Sequence, residues 1–198
     1  MTHPDPKDPE LQALVERAKQ GDPGAYRELL DRYESRALGL ARQLGLGRED
    51  AQDAVQDAFL KLFRYVHRFR SGESFTNWFY RIVVNASHDQ LRRARRSRTV
   101  SLEGEAGRRA AQVVDPEGDP ADPAEAGRLR ERVLVALRCL SPQERAAYVL
   151  RDLQGLETLE VARALRVTRV TVRRHVSNAR RKLRERLEGQ FPELFRED

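Results

Sequence analysis

Arginine, serine and asparagine recur on one side of a predicted helix between Thr168 and Leu183, which we call the reader helix. Such side chains can donate hydrogen bonds to phosphates and to base edges, which is the chemistry of DNA recognition. At 100° per residue four apolar residues form a stripe about 60° wide, and they are Val172, Val176, Ala179 and Leu183. The candidate DNA-contacting side chains lie outside this stripe, and they are Arg169, Thr171, Arg173, Arg174, Ser177, Asn178 and Arg181.

A shorter helix precedes the reader helix, with apolar residues at Leu159, Ala162 and Leu165. The hydroxyl of Thr168 can cap the reader helix by accepting from an unpaired N–H of its first turn. The stretch from Arg163 to Arg186 holds nine arginines and one lysine against one acid. An arginine-rich helix face is usually only solvated surface, but two helices joined by a tight turn favour a DNA-binding helix-turn-helix.

A second basic run, LRRARRSR at residues 91–98, lies at the end of a predicted helix that spans about Thr76 to Arg96. Cations at a helix end complement the helix dipole, but five arginines in seven residues exceed that need. They favour a second nucleic-acid contact, and the residues are Arg92, Arg93, Arg95, Arg96 and Arg98.

A polar loop, residues 70–74, precedes this helix and is followed by the aromatic residues Phe75, Trp78, Phe79 and Tyr80. Aromatic rings beside a basic groove can stack on unpaired bases. We expect Trp78 and Phe79 to lie in the core. Phe75 and the loop, with Ser71 and Glu73, are the better candidates for base contact.

The predicted helix from Asp50 has a different surface. Opposite its apolar face lie Gln52, Asp53, Gln56 and Asp57. An acidic face does not attract DNA, so it is either plain solvated surface or, in a basic protein, a docking face for a basic partner protein.

Composition limits the function classes further. The 198 residues carry a net charge of +6 and a pI near 9.9, which favours an anionic partner. Only four of the 37 basic residues are lysines, a bias that suits bidentate contacts but that a GC-rich genome also produces. The single cysteine, Cys139, excludes a disulfide framework and is expected to be a small buried residue.

Neither an enzyme nor a membrane protein is expected. The four histidines are scattered, and the sequence has no metal-ligand spacing, no glycine-rich phosphate loop and no nucleophile with a base, so no catalytic residue, metal or cofactor is predicted. No apolar run reaches membrane-spanning length, and the first ten residues lack a signal-peptide core, so we expect a cytoplasmic protein.

The chain divides into two predicted helical modules, and no segment alternates as a strand would. The expected fold is all-α, with a tail at 1–9, a module at 10–98, a linker at 99–127, a module at 128–188 and a tail at 189–198. The linker is rich in proline and glycine and has a local charge of −5, from seven acids and two arginines. Asp22-Pro23 and the capping box at Ser141–Glu144 predict helix starts.

Taken together, these segments resemble one family. Four segments carry the resemblance, and they are DAQDAVQDAFLKLFR at 50–64, the segment from Phe69 to Arg96, LSPQERAAYVLRDLQGL at 140–156 and SNARRKLRE at 177–185. Their order and spacing are similar to those of bacterial sigma factors. Within the sigma-70 superfamily the chain resembles the extracytoplasmic-function (ECF) group, over roughly residues 10–187. The group keeps only regions 2 and 4, which a linker joins.

The resemblance implies a role for each part. Asp53, Gln56 and Asp57 correspond to the surface that docks on the β′ clamp coiled coil of core RNA polymerase. The loop 70–76, with Asn85, corresponds to the part that captures a base flipped from the −10 promoter element, and the arginines from Arg92 to the part that holds the adjacent backbone. The helix-turn-helix corresponds to the reader of the −35 element, beside apolar parts that bind the β flap. A cognate anti-sigma factor is a further partner of many members.

Three positions depart from the family pattern. Thr158 caps the first helix of the helix-turn-helix one residue late, Arg166 replaces the turn glycine and Val170 replaces a glycine early in the reader helix. Two other function classes stay open on the residues alone. They are a stand-alone helix-turn-helix regulator, which would not need the acidic face, and an enzyme acting on nucleic acid.

Overall fold

The computed structural model describes residues 8–70, 72–101 and 123–190, and within these ranges it is helical and has no strand. The helices are α1 (Pro9–Lys19), α2 (Pro23–Gln43), α3 (Arg48–Tyr65), α4 (Phe75–Ser101), α5 (Pro123–Leu137), α6 (Pro142–Tyr148), α7 (Thr158–Leu165) and α8 (Arg169–Gln190). A 3₁₀ turn, Val66–Arg68, follows α3, and a π-helical turn, Val149–Leu153, extends α6. The chain divides into two units, one built from α1 to α4 and the other from α5 to α8. The all-α prediction is confirmed.

Side-chain caps begin the first two helices. An Asp8 carboxylate oxygen accepts from the backbone N–H groups of Glu10 and Leu11 at 3.1 and 3.2 Å. Asp22 does the same for α2, accepting from the N–H of Gly24 at 2.8 Å, as its place before Pro23 predicts.

Aromatic rings fill the core of the first unit. Tyr33 and Phe79 are fully buried, and their ring centroids lie 5.5 Å apart in an edge-to-face arrangement. The Tyr33 hydroxyl is 2.7 Å from Oγ1 of Thr76, which satisfies both buried hydroxyls and ties α2 to the first turn of α4. Burial raises the pKa of Tyr33, so this hydroxyl stays neutral.

Two helix boundaries differ from the prediction. α4 continues past Arg96 to Ser101, and α5 begins at Pro123, inside the predicted linker 99–127. Proline suits the first position of a helix, and the alanine, glutamate and leucine residues that follow have high helix propensity. The rest of the predicted linker, 102–122, and the tails 1–7 and 191–198 lie outside the described residues.

The second unit packs α6 and α7 against α8. The predicted capping box begins α6: Oγ of Ser141 accepts from the N–H of Glu144, and a Glu144 carboxylate oxygen accepts from the N–H of Ser141 at 3.0 Å. Leu150 and Val161 are fully buried in the interior that these helices share.

Glu144 also joins α6 to α8. Its side chain is 6 % exposed, and its two carboxylate oxygens accept from Nζ of Lys182 at 3.0 and 2.8 Å. These bonds to Lys182 hold the pKa of Glu144 at about 2, below its ordinary value of 4.5. A buried carboxylate without such partners would be strongly unfavourable, so the pair fixes how α8 sits on α6.

One smaller prediction was wrong, because Cys139 is exposed rather than buried. It lies after the end of α5, in the segment between α5 and α6. On α7 the buried face is formed by Val161, Ala162 and Ala164, and Leu159 projects from the other side of the helix, where it is exposed.

We predict that Glu144→Gln destabilises the second unit at pH 7 by about 1–3 kcal/mol, the usual value of a charged hydrogen bond. The folded-state pKa is lower than the ordinary value, so this stabilisation is present above about pH 4.5 and is lost as the pH falls towards 2. The wild type should therefore lose more stability than the variant over that window. Urea unfolding at several pH values measures this, and amide exchange in α8 at neutral pH assigns the loss to the second unit.

Glu188→Gln is the matched control, since the Glu188 carboxylate is exposed and lies 4.0 Å from Arg184. It should change stability by less than about 0.5 kcal/mol at any pH. Equal effects of the two substitutions would contradict the role assigned to Glu144.

Candidate nucleic-acid interfaces

The reader helix, α8, is oriented by its apolar stripe. Val172, Val176, Ala179 and Leu183 are all buried, as predicted. The predicted cap is also present, because the N–H of Thr171 donates to Oγ1 of Thr168 at 3.1 Å. One stripe buried in the unit leaves the opposite side of the helix facing solvent.

The side chains predicted to contact DNA occupy that free side to different extents. Arg169, Arg173, Arg174, Ser177 and Arg181 are exposed, whereas Thr171 and Asn178 are half-buried.

Nη1 of Arg181 pairs with Glu185 one turn later at 2.7 Å. For Arg173 and Arg174, no carboxylate of the described residues lies within ion-pair distance, so both guanidinium groups are available to an anionic ligand.

Two basic residues of α8 serve the fold instead. Nε and Nη2 of Arg180 both bond to the Asp152 carboxylate at 2.8 Å, and this pairing raises the pKa of Arg180. Lys182 is engaged by Glu144. Sequence reasoning missed both roles, although a signal was present: at 100° per residue Arg180 and Lys182 flank the buried stripe on its two sides.

The turn before the reader helix is conformationally unusual. Arg166 has φ 55° and ψ 43°, the left-handed conformation that favours glycine, and it is the only such residue other than glycine in the described chain. At the other end of α7, a Glu160 carboxylate oxygen accepts from the N–H of Glu157 at 2.8 Å. Thr158 is therefore the first residue of the helix and not its cap, which corrects the sequence expectation.

In the first unit, the loop before α4 borders a cavity. The N–H of Glu73 donates to the carbonyl oxygen of Arg70 at 3.3 Å, Gly72 has φ +100°, and Oγ of Ser74 accepts from the N–H of Asn77 to begin α4. The cavity holds about 240 Å³ and is lined by Asp8, Leu11, Gln12, Val15, Glu16, Phe69, Gly72, Glu73, Ser74, Phe75 and Thr76. Ser71 lies outside the described residues.

Two carboxylates on the cavity wall are each paired with an arginine. The backbone N–H of Leu11 lowers the pKa of Asp8, and Asp8 also pairs with Arg32 at 2.5 Å. Glu73 is exposed, and its carboxylate lies 3.3 Å from Nη2 of Arg81. Carboxylate oxygens are hydrogen-bond acceptors only, so at these two positions the wall can accept from donors of an entering group.

The structure places one predicted base contact in the core and another away from this cavity. Phe75 is only 4 % exposed, and its ring lies within 6 Å of those of Tyr33, Phe69 and Trp78, so it is part of the core and is not free to stack on a base. Asn85 is exposed but lies ten residues along α4 from Phe75, about 15 Å at 1.5 Å per residue, and does not line the cavity.

The basic run of α4 is partly paired. Arg92 bonds to Asp89, and Nη1 of Arg93 lies 3.4 Å from the Asp57 carboxylate on α3. Arg96 is exposed. The side chains of Arg95 and Arg98 lie outside the described part of the structure.

The acidic face of α3 is present where the sequence placed it. Asp53 and Gln56 are exposed, and Asp57 is half-exposed. The same side of the helix continues one turn further with Leu60, which is 54 % exposed, and beyond it with Phe63, 42 % exposed and 4.3 Å from the Tyr26 ring. Although apolar, Phe63 lies at the surface of α3 and not on its buried face.

The described residues hold neither a candidate metal cluster nor a membrane-spanning helix. Within 8–70, 72–101 and 123–190, histidine, cysteine and acidic residues form no group of three or more that could hold a metal ion. Over the same ranges, none of the helices combines the length and apolar character needed to cross a membrane.

Comparison with known sequences identifies both units. Residues 29–97 match the family described as sigma-70 region 2, and residues 130–183 match sigma-70 region 4. The chain is 30 % identical over 184 residues to the ECF RNA polymerase sigma-E factor of Haemophilus influenzae, covering 89 % of this chain and 95 % of that protein. It is 33 % identical to the sigma-E factor of Escherichia coli (85 % and 90 % covered) and 36 % identical to SigM of Mycobacterium tuberculosis (82 % and 77 % covered).

Solved structures show the same fold. CnrH, determined in complex with the cytosolic domain of CnrY, aligns with a TM-score of 0.64 at 25 % identity, covering 89 % of this chain and 96 % of CnrH. RpoE of Bartonella quintana, determined in complex with the anti-sigma factor NepR, aligns with a TM-score of 0.65 at 22 % identity, covering 82 % and 96 %.

Arg166→Gly should stabilise the second unit by about 0.5–1 kcal/mol. A side chain at positive φ destabilises the folded state by about 1–2 kcal/mol, and glycine removes this strain. Glycine also stabilises the unfolded chain through its greater flexibility, which offsets about 0.5–1 kcal/mol of the gain. The same exchange in the middle of α7, Arg163→Gly, should instead cost about 1 kcal/mol, because glycine is a poor helix residue. Thermal melting of the two variants tests this, and a lower melting temperature for Arg166→Gly would contradict it.

Proposed function

The chain belongs to the ECF sigma factors of the sigma-70 family, and from this membership we propose how its two units divide promoter recognition between them. It is a sigma factor, a subunit that binds core RNA polymerase and directs initiation at specific promoters. Sigma factors are a non-enzymatic class of transcription factor.

The second unit, residues 128–188, reads the −35 element with the free side of α8. The observation that carries this assignment is the pair Arg173 and Arg174, both exposed outside the buried stripe and unpaired among the described residues. A helix held by one narrow stripe can enter the major groove without losing its packing. The contact surface is completed by Arg169, Thr171, Ser177, Asn178 and Arg181. On binding, Arg181 breaks its ion pair with Glu185 and binds a phosphate instead.

The first unit, residues 10–98, takes up a base of the −10 element. The cavity beside the loop supports the uptake of a base. Its volume of about 240 Å³ equals the liquid volume of about eight waters, and its walls include the hydrogen-bond acceptors Asp8 and Glu73. A flipped base is read on its pairing edge, where its amino and imino N–H groups are donors. Phe75 supports the cavity from the core, and Arg92, Arg93, Arg95 and Arg96 hold the backbone nearby.

The acidic face of α3 docks on the β′ clamp coiled coil of core polymerase. Asp53, Gln56 and Asp57 supply its polar part, and the exposed Leu60 and Phe63 supply the apolar contact that a stable interface requires. Apolar surface of the second unit binds the β flap. The part of the predicted linker between α4 and α5, residues 102–122, is proposed to tether the two units.

A cognate anti-sigma factor is a further proposed partner, by analogy with NepR on RpoE of Bartonella quintana. Such a partner would compete with the polymerase for surfaces of the first or second unit. The site of action of the complex is proposed to be the cytoplasm, where the chromosome and the polymerase are.

Run-off transcription tests the function directly. Core polymerase with this chain should initiate on a subset of a genomic fragment pool, and these fragments should share two elements at a fixed spacing. If no fragment gives more initiation than it does with core polymerase alone, the proposed promoter-specific function is wrong.

Asp53→Lys should weaken binding to core polymerase by about tenfold or more, because it places a cation against a basic partner surface. Asp53 is the cleanest position on this face, since Asp57 is already paired with Arg93. Glu34→Lys on α2 is the matched control, with the same change of charge at an exposed acid of the same unit. Anisotropy titration of labelled chain with core polymerase gives the affinities. Equal affinities would favour a stand-alone DNA-binding regulator.

A further inference from the structure

One apolar side chain stands in the middle of the arginine-rich side of α8. Val170 is 72 % exposed, more than any other large apolar residue of the described chain. At 100° per residue it lies about 150° from the centre of the buried stripe, and thus almost directly opposite it. On the same wheel Ser177 lies about 20° from Val170, Arg174 about 40° and Arg173 about 60°.

The position of Val170 along the helix matters as well. It is the second residue of α8, one turn before Arg173 and Arg174. A reader helix enters the major groove with its N-terminal residues closest to the base edges. The first turn of α8 contains no acid and is capped by the neutral hydroxyl of Thr168, so nothing at this end repels phosphates.

Val170 makes no evident contribution to the stability of the fold. A branched side chain lowers helix propensity, and one exposed to water gains nothing from burial. The neighbouring residues have structural or polar roles: Thr171 shares a hydrogen bond of 2.9 Å with Thr168, and Val172 is buried. An apolar group surrounded by phosphate-binding arginines would be covered only by an apolar feature of the DNA itself.

The major groove offers one such feature, the C5-methyl group of a pyrimidine. We propose that Val170 is a specificity-determining residue that packs against this methyl group, in unmodified DNA that of a thymine in the −35 element. Arg173 and Arg174 hold the helix in the groove, and Val170 selects the base. The proposal rests on the function given above and adds the base type that this helix end recognises.

Replacement of thymine by deoxyuridine removes the methyl group and changes no hydrogen bond, so it isolates the contact. In a promoter recovered by the run-off assay, each thymine of the −35 region on either strand is replaced singly, and holoenzyme binding is measured by competition. One position should lose about fourfold, which corresponds to about 0.8 kcal/mol for burial of one methyl-sized group. In Val170→Ala that loss should disappear, while wild-type and variant affinities for the deoxyuridine promoter should agree.

Alanine is the better helix former, so Val170→Ala does not endanger folding. Leu159→Ala is the matched control, since it trims an exposed apolar residue of α7 and should leave the fourfold loss intact. A second arm places cytosine or 5-methylcytosine at the same position. The methylated base should bind better with wild type only, which assigns recognition to the methyl group.

The outcomes separate the proposal from its premise. A deoxyuridine effect that persists in Val170→Ala would show that another residue reads the methyl group and would overturn the proposal. So would initiation by wild type with no effect of deoxyuridine at any thymine, although the sigma-factor function would stand. Failure of wild type to initiate on any unmodified promoter would instead remove the function and the proposal with it.

Discussion

The packing of one narrow apolar stripe decides the geometry of the second unit. Val172, Val176, Ala179 and Leu183 are buried on one side of α8, and only one rotation of the helix allows this. Two ion pairs on the flanks of the stripe, Lys182 with Glu144 and Arg180 with Asp152, restrict the helix further. The direction in which the free arginines point is thus a consequence of the core and not of the arginines themselves.

The first unit follows the same logic with an aromatic core. The cavity beside α4 has a wall because Phe69 and Phe75 are packed under the loop, and the buried bond between Tyr33 and Thr76 fixes where α4 begins. Ser74 then caps the helix, and Glu73 is left at the rim beside Arg81. The candidate base-binding residues are therefore polar groups on a short loop whose two ends are held by buried contacts.

Periodicity and capping made most of the fold predictable. The stripe of α8, the caps at Asp22, Ser141 and Thr168 and the acidic face of α3 each depend on spacing along one helix, which the sequence contains in full. Phe75 shows where this stops. An aromatic residue at a helix start suits a core and a stacking surface equally. What decides between them is the packing of its ring against Tyr33 of α2, which is distant in sequence, together with the nearby rings of Phe69 and Trp78.

The basic residues of α8 show the same limit in electrostatic form. Counting arginines and lysines treats each of them as a phosphate contact, but Arg180 and Lys182 are committed to carboxylates that lie 28 and 38 residues away in sequence. On the proposed contact surface each such pair cancels one positive charge, and it would release no counterion when DNA binds. The arginines left for the proposed groove contact are a smaller set centred on Arg173 and Arg174. With fewer charges, the proposed contact would depend on neutral groups such as Ser177, Asn178 and Val170 to distinguish one base sequence from another.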